Sequence, residues 1–118
     1  MEVIEKIVIR PEDSAQALGS GTLPVFGTPA MIAFMESTAQ KAVPNLQEGE
    51  TTVGTYIEAH HLKAAKIGAV AICKAVLLQQ EGRKLFYELT VTAEDGTVMG
   101  TAKHERFIVQ AERFMSKL

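Results

Sequence analysis

The chain has 118 residues, of which 47% are hydrophobic and 22% are charged, and its formal net charge is −2. This length corresponds to one small domain with its own core, and the charge offers no electrostatic basis for binding nucleic acid or an anionic membrane. The single cysteine, Cys73, cannot form an internal disulfide, which is typical of a reducing compartment. No stretch approaches the ~20 apolar residues of a membrane helix, and residues 1–6 carry charges where a signal peptide is apolar. Composition therefore predicts a single cytoplasmic domain, 1–118, with neither nucleic-acid nor membrane partners.

The first third of the chain predicts a short strand, a polar loop and one apolar helix. Val3–Ile9 is rich in Val and Ile, as strands are. Residues 11–21 contain Pro, Ser and Gly, which predict a loop or a broken helical turn. We expect the helix to run from about Pro29 to Val43, because Thr28 suits an N-cap and a proline in the first turn loses no needed donor. Pro44 then ends the helix.

The remainder of the chain predicts four long strands separated by turns. The expected strands are Thr51–Lys63, Ala69–Gln80, Lys84–Ala93 and Thr97–Val109. The second of these is apolar on both faces and should be interior to the sheet, while Glu81-Gly82 and Asp95-Gly96 are hairpin signals. One apolar helix followed by these strands predicts an α+β fold, in which a long antiparallel sheet wraps around one central helix. Because such a sheet has exposed edges that are commonly paired, we expect a homodimer.

Glu36 is the one acidic residue on the predicted helix, two turns after its start. A helix that is apolar nearly all round is usually buried, whereas a charged side chain is usually exposed. Glu36 lies between Ile32 and Gln40, at the margin of the apolar face, so a solvated edge residue and a functional carboxylate both remain open. A partly desolvated carboxylate can act as a general base or attack a carbonyl carbon.

His60 and His61 are adjacent, and strand alternation places their side chains on opposite faces. We expect the more apolar face, with His61, to lie against the helix, and His60 to share the other face with Tyr56 and Glu58. A lone inward histidine is more often a hydrogen-bonded core residue than a catalyst. The histidines match no zinc-binding spacing, which argues against a metal site. The residues expected on the face of His61 are Val53, Thr55, Ile57 and Ala59.

Arg106 and Cys73 carry a charged and a reactive group, and each has both a structural and a functional interpretation. Arg106 is compatible with a surface ion pair, which is the commoner case, and with a fixed cation for a carboxyl or phosphate group. Cys73 lies in a strand that is apolar on both faces, so we expect a buried packing residue rather than a nucleophile. Met31 and Met35 are expected to pack in the core or to line an apolar pocket.

Several short motifs, taken together over residues 25–114, resemble one known family. They are Val25-Phe26-Gly27-Thr28, then Met31 and Met35-Glu36, then Gly54-Thr55 with His61 seven positions on, then Glu81-Gly82-Arg83, Gly100-Thr101 and His104-Glu105-Arg106. This set resembles the fluoroacetyl-CoA thioesterase branch of the hotdog-fold acyl-CoA thioesterases and hydratases. The resemblance implies a hotdog fold and a homodimer with the substrate pocket between its subunits.

The resemblance also implies a set of site residues. Thr28, Glu36 and His61 match the catalytic threonine, glutamate and histidine of that family. Gly54 matches a glycine whose backbone amide contacts the substrate, and Arg106 matches an arginine at the substrate site. The implied function is hydrolysis of a short-chain acyl-CoA thioester to free acid and CoA. Glu36 would be the base or nucleophile, and no metal or bound cofactor is implied, since CoA belongs to the substrate.

Two other functions remain open at this point. A hotdog enoyl-CoA hydratase-like enzyme would use the same contacts to the carbonyl but add water across a double bond. A non-catalytic acyl-CoA-binding module would need no acid–base pair, so the presence of Glu36 and His61 together argues against it.

One segment departs from the family pattern. In the fluoroacetyl-specific enzyme the segment before the helix is longer and carries phenylalanines that cover the acyl pocket. Residues 11–23 contain no aromatic side chain here. We therefore expect Leu18, Leu23 and Phe26 alone to close the acyl end of the pocket, with only a modest preference among short acyl groups.

Overall fold

The computed structural model describes residues 1–118 and contains five strands, three helices and one 3-10 turn at Pro11–Asp13. None of the helices has the length and apolar character needed to span a bilayer. The strands are β1 (Glu2–Val8), β2 (Glu50–His61), β3 (Val70–Glu81), β4 (Lys84–Thr92) and β5 (Val98–Gln110). The helices are α1 (Ala15–Leu18), α2 (Thr28–Ala39) and α3 (Ala111–Ser116).

All five strands form one antiparallel sheet in the order β1-β3-β4-β5-β2. The two predicted hairpins are present, with Gly82 and Gly96 at φ of 62° and 88°, where a side chain would be strained. β3 is interior, as predicted. β2 does not pair with β3, as a simple meander would require, but with β5. The sheet therefore has β1 and β2 as its two edges.

Helix α2 packs against one face of this sheet and forms the core with it, which confirms the predicted α+β architecture. The face of the sheet toward α2 carries every second residue of β4, and these residues are buried. Cys73 is fully buried, and burial raises the pKa of its thiol to about 11, as expected for a packing residue. Met31 and Met35 are also fully buried. The buried residues of β4 are Leu85, Tyr87, Leu89 and Val91.

Helix α2 ends at Ala39, four residues before the predicted end at Val43. Proline disfavours the helical conformation in the residue before it, so Pro44 restricts Val43 as well. After Ala39 the backbone hydrogen bonds are of the 3-10 type, because the amides of Lys41 and Ala42 donate to carbonyl groups three residues back. Helix α3 was not predicted at all, although the side chain of its capping residue Gln110 accepts a hydrogen bond from a backbone amide in the first turn.

Strand β2 contains a β-bulge between Gly54 and Tyr56, and the bulge changes which residues face α2. Thr55 is the extra residue, so alternation is interrupted there. Thr52 and Gly54 face the helix before the bulge, and Ile57, Ala59 and His61 face it afterwards. The prediction that Val53 and Thr55 share the face of His61 is therefore wrong. The expected separation of His61 from the exposed His60 is present.

Candidate active site

A cavity of about 640 Å³ lies beside the first half of α2 and brings together three residues singled out in the sequence. Thr28 and Glu36 reach it from the helix, and His61 reaches it from the end of β2. The remaining wall is mostly apolar. It consists of Ala15, Ser20, Val25, Phe26, Pro29, Ile32, Ala33 and Ala64.

Thr28 is paired with His61 rather than used as a helix cap. Gly27 is the N-cap, with φ −74° and ψ 142°, and Thr28 is the first residue inside the helix. Its hydroxyl oxygen lies 2.8 Å from Nδ1 of His61. Nε2 of His61 is buried without a hydrogen-bond partner, and the ring of Phe26 meets the imidazole edge to face, with centroids 6.3 Å apart. The predicted capping role of Thr28 is therefore wrong.

The amino end of α2 presents two backbone amides that have no intrahelical partner. The first intrahelical bond runs from the amide of Met31 to the carbonyl of Gly27, and the amide of Gly27 itself donates to Asp13. Pro29 has no amide hydrogen. The amides of Thr28 and Ala30 are left at the positive end of the helix dipole, where a negatively charged oxygen is stabilised.

Glu36 lies two turns along α2, about 12 Å from Thr28 by the helical rise, with its side chain 40% exposed. The prediction that it lies at the margin of the apolar face agrees with this exposure. Its Oε2 atom is 3.6 Å from Nη1 of Arg106 and 3.9 Å from Nε2 of His104. Gly54 passes so close that a Cβ atom there would be 2.6 Å from the same oxygen. The carboxylate is therefore held between a cation and a glycine backbone.

Arg106 is buried, which excludes the surface ion pair that the sequence left open. Only 6% of the residue is exposed. Its Nε and Nη2 atoms donate to the hydroxyl and the carbonyl oxygen of Thr52, at 2.8 and 3.1 Å. Burial lowers the pKa of Arg106, and the nearby Glu36 carboxylate opposes that shift. The guanidinium is thus a fixed charge aimed at Glu36.

His104 is the site residue whose role the sequence did not reveal. It is 1% exposed, and its ring lies between the carbonyl of Tyr56 and the guanidinium of Arg106. Burial lowers the pKa of His104, and the charge of Arg106 lowers it further. Strand alternation could have indicated that His104 belongs to the site. His104 and Arg106 are two residues apart on β5, so their side chains point to the same face of the sheet.

The site therefore has two halves on one cavity. Thr28 and His61 form the half at the amino end of α2, and Glu36 with Arg106 forms the half two turns further on. The hydrogen-bond partner of His61 is Thr28.

The segment before α2 closes the cavity with small side chains. Ala15, Ser20 and Val25 line it together with Phe26. Leu18 and Leu23, which we expected at the acyl end, do not line it, and Leu23 is 63% exposed. Leu18 instead lines a second groove on the other side of Phe26.

The chain matches one family along most of its length. A model of the fluoroacetyl-CoA-specific thioesterase family matches residues 9–112. The fluoroacetyl-CoA thioesterase of Streptantibioticus cattleyicolor is 35% identical over 96 residues, which cover 80% of this chain and 68% of that protein.

Solved structures of similar proteins superpose on nearly the whole chain. The fluoroacetyl-CoA thioesterase FlK gives a TM-score of 0.91 at 27% identity, covering 99% of this chain and 91% of the other. A Thermus thermophilus thioesterase superfamily member gives 0.90 at 28% identity, covering 99% and 87%. A hot-dog-like protein from Thermanaerovibrio acidaminovorans, 19% identical, shares the fold with a TM-score of 0.87. The chain therefore belongs to the fluoroacetyl-CoA-specific thioesterase family, and it is a thioester hydrolase with the hotdog fold.

Proposed function

We propose that the chain hydrolyses short-chain acyl-CoA thioesters to the free acid and CoA, with Thr28, Glu36 and His61 as its catalytic residues. The observation that carries the proposal is that one cavity holds all three, two of them from α2 and His61 from β2. The match to the fluoroacetyl-CoA-specific thioesterase family supports a short acyl group. Relatives have been solved with acetyl-CoA, and with fluoroacetate and CoA.

The amino end of α2 is suited to hold the thioester carbonyl. The free amides of Thr28 and Ala30 would donate to the carbonyl oxygen as it gains negative charge, and the helix dipole would add to that stabilisation. The backbone of Gly54 would contribute a further contact to the substrate beside Glu36, whose carboxylate lies directly against it.

Glu36 would supply the electrons for attack on the carbonyl carbon. As a general base it would remove a proton from water, so that hydroxide adds to the carbon and the carbon–sulfur bond breaks. As a nucleophile it would add to the carbonyl carbon and form a mixed anhydride as the carbon–sulfur bond breaks and the CoA thiolate leaves. Water would then open the anhydride, with the same products. Arg106 would hold the carboxylate in place in both routes. Repeated turnover in ¹⁸O-labelled water places label in the carboxylate of Glu36 only by the nucleophilic route.

His61 would deliver the proton that the departing thiolate of CoA needs. Its Nδ1 contact with Thr28 fixes the plane of the ring, and Nε2 has no other partner. A donor held in this way contributes ~10²- to 10⁴-fold to rate in general acid–base catalysis. Thr28 would therefore orient the acid while its own backbone amide contacts the substrate oxygen.

A homodimer would complete the proposed enzyme. Strand β2 is an edge strand of twelve residues, paired on one side only, and an unpaired edge of that length is normally covered. The active-site histidine lies at the end of the same strand, so pairing there would bring a second subunit to the cavity. Light scattering at micromolar concentration should give the mass of two chains, and the mass of one chain would contradict the dimer.

Thiol release from a panel of acyl-CoAs tests the proposed activity, with hydration of crotonyl-CoA assayed alongside. We expect hydrolysis of acetyl-, fluoroacetyl- and propionyl-CoA and no hydration. Glu36→Gln should abolish turnover, since an amide can neither accept the proton nor attack the carbonyl carbon. His60→Gln, which changes an exposed histidine of the same strand, is the matched control and should retain full activity. Hydration without thiol release would favour the hydratase, and binding without either reaction would favour an acyl-CoA-binding module.

A further inference from the structure

His104 lies behind Glu36, inside the protein, and both of its ring nitrogens are engaged. Nδ1 is 2.7 Å from the carbonyl oxygen of Tyr56, which can only accept a hydrogen bond, so Nδ1 carries the hydrogen. Nε2 is 3.1 Å from Nη1 of Arg106, which can only donate, so Nε2 is bare. The two contacts together select one neutral tautomer of the imidazole.

The guanidinium of Arg106 depends on His104 for one of its three acceptors. Thr52 supplies the other two, through its hydroxyl and its carbonyl oxygen. The Nη1 atom that donates to His104 is also the atom 3.6 Å from Oε2 of Glu36. Nη1 has two hydrogens, and binding one of them to His104 directs the other toward the carboxylate.

We propose that His104 is a positioning residue for the thioesterase reaction: as a neutral acceptor, it orients the guanidinium of Arg106 toward the carboxylate of Glu36. The inference deepens the proposed function and rests on it, because Glu36 is the group that His104 serves through Arg106. Without this acceptor the guanidinium keeps its two contacts to Thr52, but its plane can tilt about them and move Nη1 away from Oε2 of Glu36.

The surroundings of His104 keep it in the required neutral form. Burial and the charge of Arg106 lower its pKa, whereas the contact with Tyr56 and the carboxylates of Glu36 and Glu105 raise it, with a net lowering. From β4, the ring of Tyr87 packs against it with centroids 6.0 Å apart. A protonated His104 would turn an N–H group toward Nη1 of Arg106, so the contact would become repulsive.

The tautomer can be measured without any assay of activity. The ¹⁵N chemical shifts of the imidazole separate a protonated nitrogen from a bare one. We expect His104 to show a protonated Nδ1 and a bare Nε2 at neutral pH. An imidazolium, or a neutral ring with the hydrogen on Nε2, would overturn the proposal even if the enzyme is fully active.

A double-mutant cycle tests whether His104 acts through Arg106. His104→Gln keeps an acceptor and a donor and should retain kcat within a few-fold, while His104→Leu should lower kcat ~10- to 100-fold with little change in KM, the cost of a small displacement of a reacting group. Arg106→Met should lower kcat, and adding His104→Leu to it should cost little more. Equal losses in His104→Gln and His104→Leu, or additive losses in the double variant, would contradict a positioning role.

Two controls separate this proposal from a general loss of structure and from failure of the proposed function. His60→Leu removes an exposed histidine and should leave kcat unchanged, and thermal unfolding shows whether His104→Leu is folded at the assay temperature. If His104→Leu does not fold, His104→Met, which has no strong hydrogen-bond acceptor, takes its place in the same double-mutant cycle with Arg106→Met. If the unmodified enzyme hydrolyses no acyl-CoA, the proposed function fails, while the imidazole shifts still decide the state of His104.

Discussion

At the scale of single residues, the chemistry available to Thr28 follows from its position one residue inside α2. The hydroxyl oxygen of an N-cap threonine accepts a hydrogen bond from a backbone amide of the first turn. Thr28 follows the N-cap Gly27, so its hydroxyl is directed to His61 while its amide stays free. The same residue can thus hold the imidazole and contact a substrate oxygen, which a capping threonine could not do.

The two neighbouring histidines of β2 should respond differently to substitution. His61→Ala removes the group that would protonate the leaving thiolate, so we expect kcat to fall ~10²- to 10⁴-fold. His60→Ala changes only an exposed side chain on the opposite face and should leave kcat within about twofold of the unmodified enzyme. Steady-state kinetics with acetyl-CoA make the comparison. A larger loss in His60→Ala would mean that the face of β2 is assigned wrongly.

Burial of His104 should make stability depend on pH. Its pKa is lowered from 6.5 in the folded chain, so the unfolded chain binds a proton at a higher pH than the folded chain does. The contribution of His104 to the free energy of unfolding is therefore complete above pH 6.5 and is lost as pH falls toward the lowered pKa. The loss is ~1.4 kcal/mol for each unit between the pKa of the unfolded chain and that of the folded chain. Urea unfolding between about pH 7.5 and about pH 5 should show a smaller decrease in His104→Gln than in the unmodified protein. Identical pH dependence would contradict the lowered pKa.

At the scale of elements, the bulge in β2 allows one strand to contribute residues to both halves of the site. Gly54, before the bulge, lies against Glu36, and His61, after it, lies against Thr28. The carbonyl of Tyr56, immediately after the bulge, is the acceptor that fixes the tautomer of His104. A strand without the bulge could supply either Gly54 or His61 to the helix, but not both.

Gly54→Ala should impair catalysis more than folding. The added Cβ atom would lie 2.6 Å from Oε2 of Glu36, the end of a flexible side chain that can move away. We expect the melting temperature to change little and kcat to fall ~10- to 100-fold, since the carboxylate is displaced. Gly100→Ala is the matched comparison, because its Cβ would meet Met31 in the core. It should cost ~1–3 kcal/mol of stability by overpacking. The opposite pattern of losses would contradict both assignments.

Local sequence patterns predicted the elements more completely than the site. Apolar runs and the hairpin glycines were sufficient for β3, β4 and β5, because each of those signals acts over a few residues. The pairing of β2 with β5 and the burial of Arg106 depend on contacts about fifty residues apart in sequence, which no local pattern records. Thr28, Glu36 and His61 were found through a family resemblance, whereas alternation and propensity alone left Glu36 and His61 undecided.

At the scale of the whole molecule, substrate selectivity depends on how the cavity is closed. The segment before α2 contributes Ala15, Ser20 and Val25, and no aromatic side chain besides Phe26. Small side chains make few van der Waals contacts with a two-carbon acyl group. The enzyme should therefore accept several short acyl groups with similar efficiency.

The ratio of kcat/KM for fluoroacetyl-CoA over acetyl-CoA should accordingly be modest. Small differences in an apolar pocket contribute ~1–3 kcal/mol, or roughly 10- to 200-fold. Competition between the two thioesters in one reaction measures the ratio directly. A ratio above about a thousandfold would mean that selectivity arises from the catalytic groups themselves rather than from the wall of the cavity.

The bulge in β2 also has a consequence for how related chains can change in length. Gly54 and His61 are seven positions apart, an odd number that would put them on opposite sides of a regular strand, yet both face α2. An odd separation between two inward residues is therefore the arithmetic mark of one inserted residue. Loss or gain of one residue between them would make the separation even, so both would still face α2 only if the bulge were lost or a second bulge were formed. In any other case one half of the site would turn to the outside of the sheet.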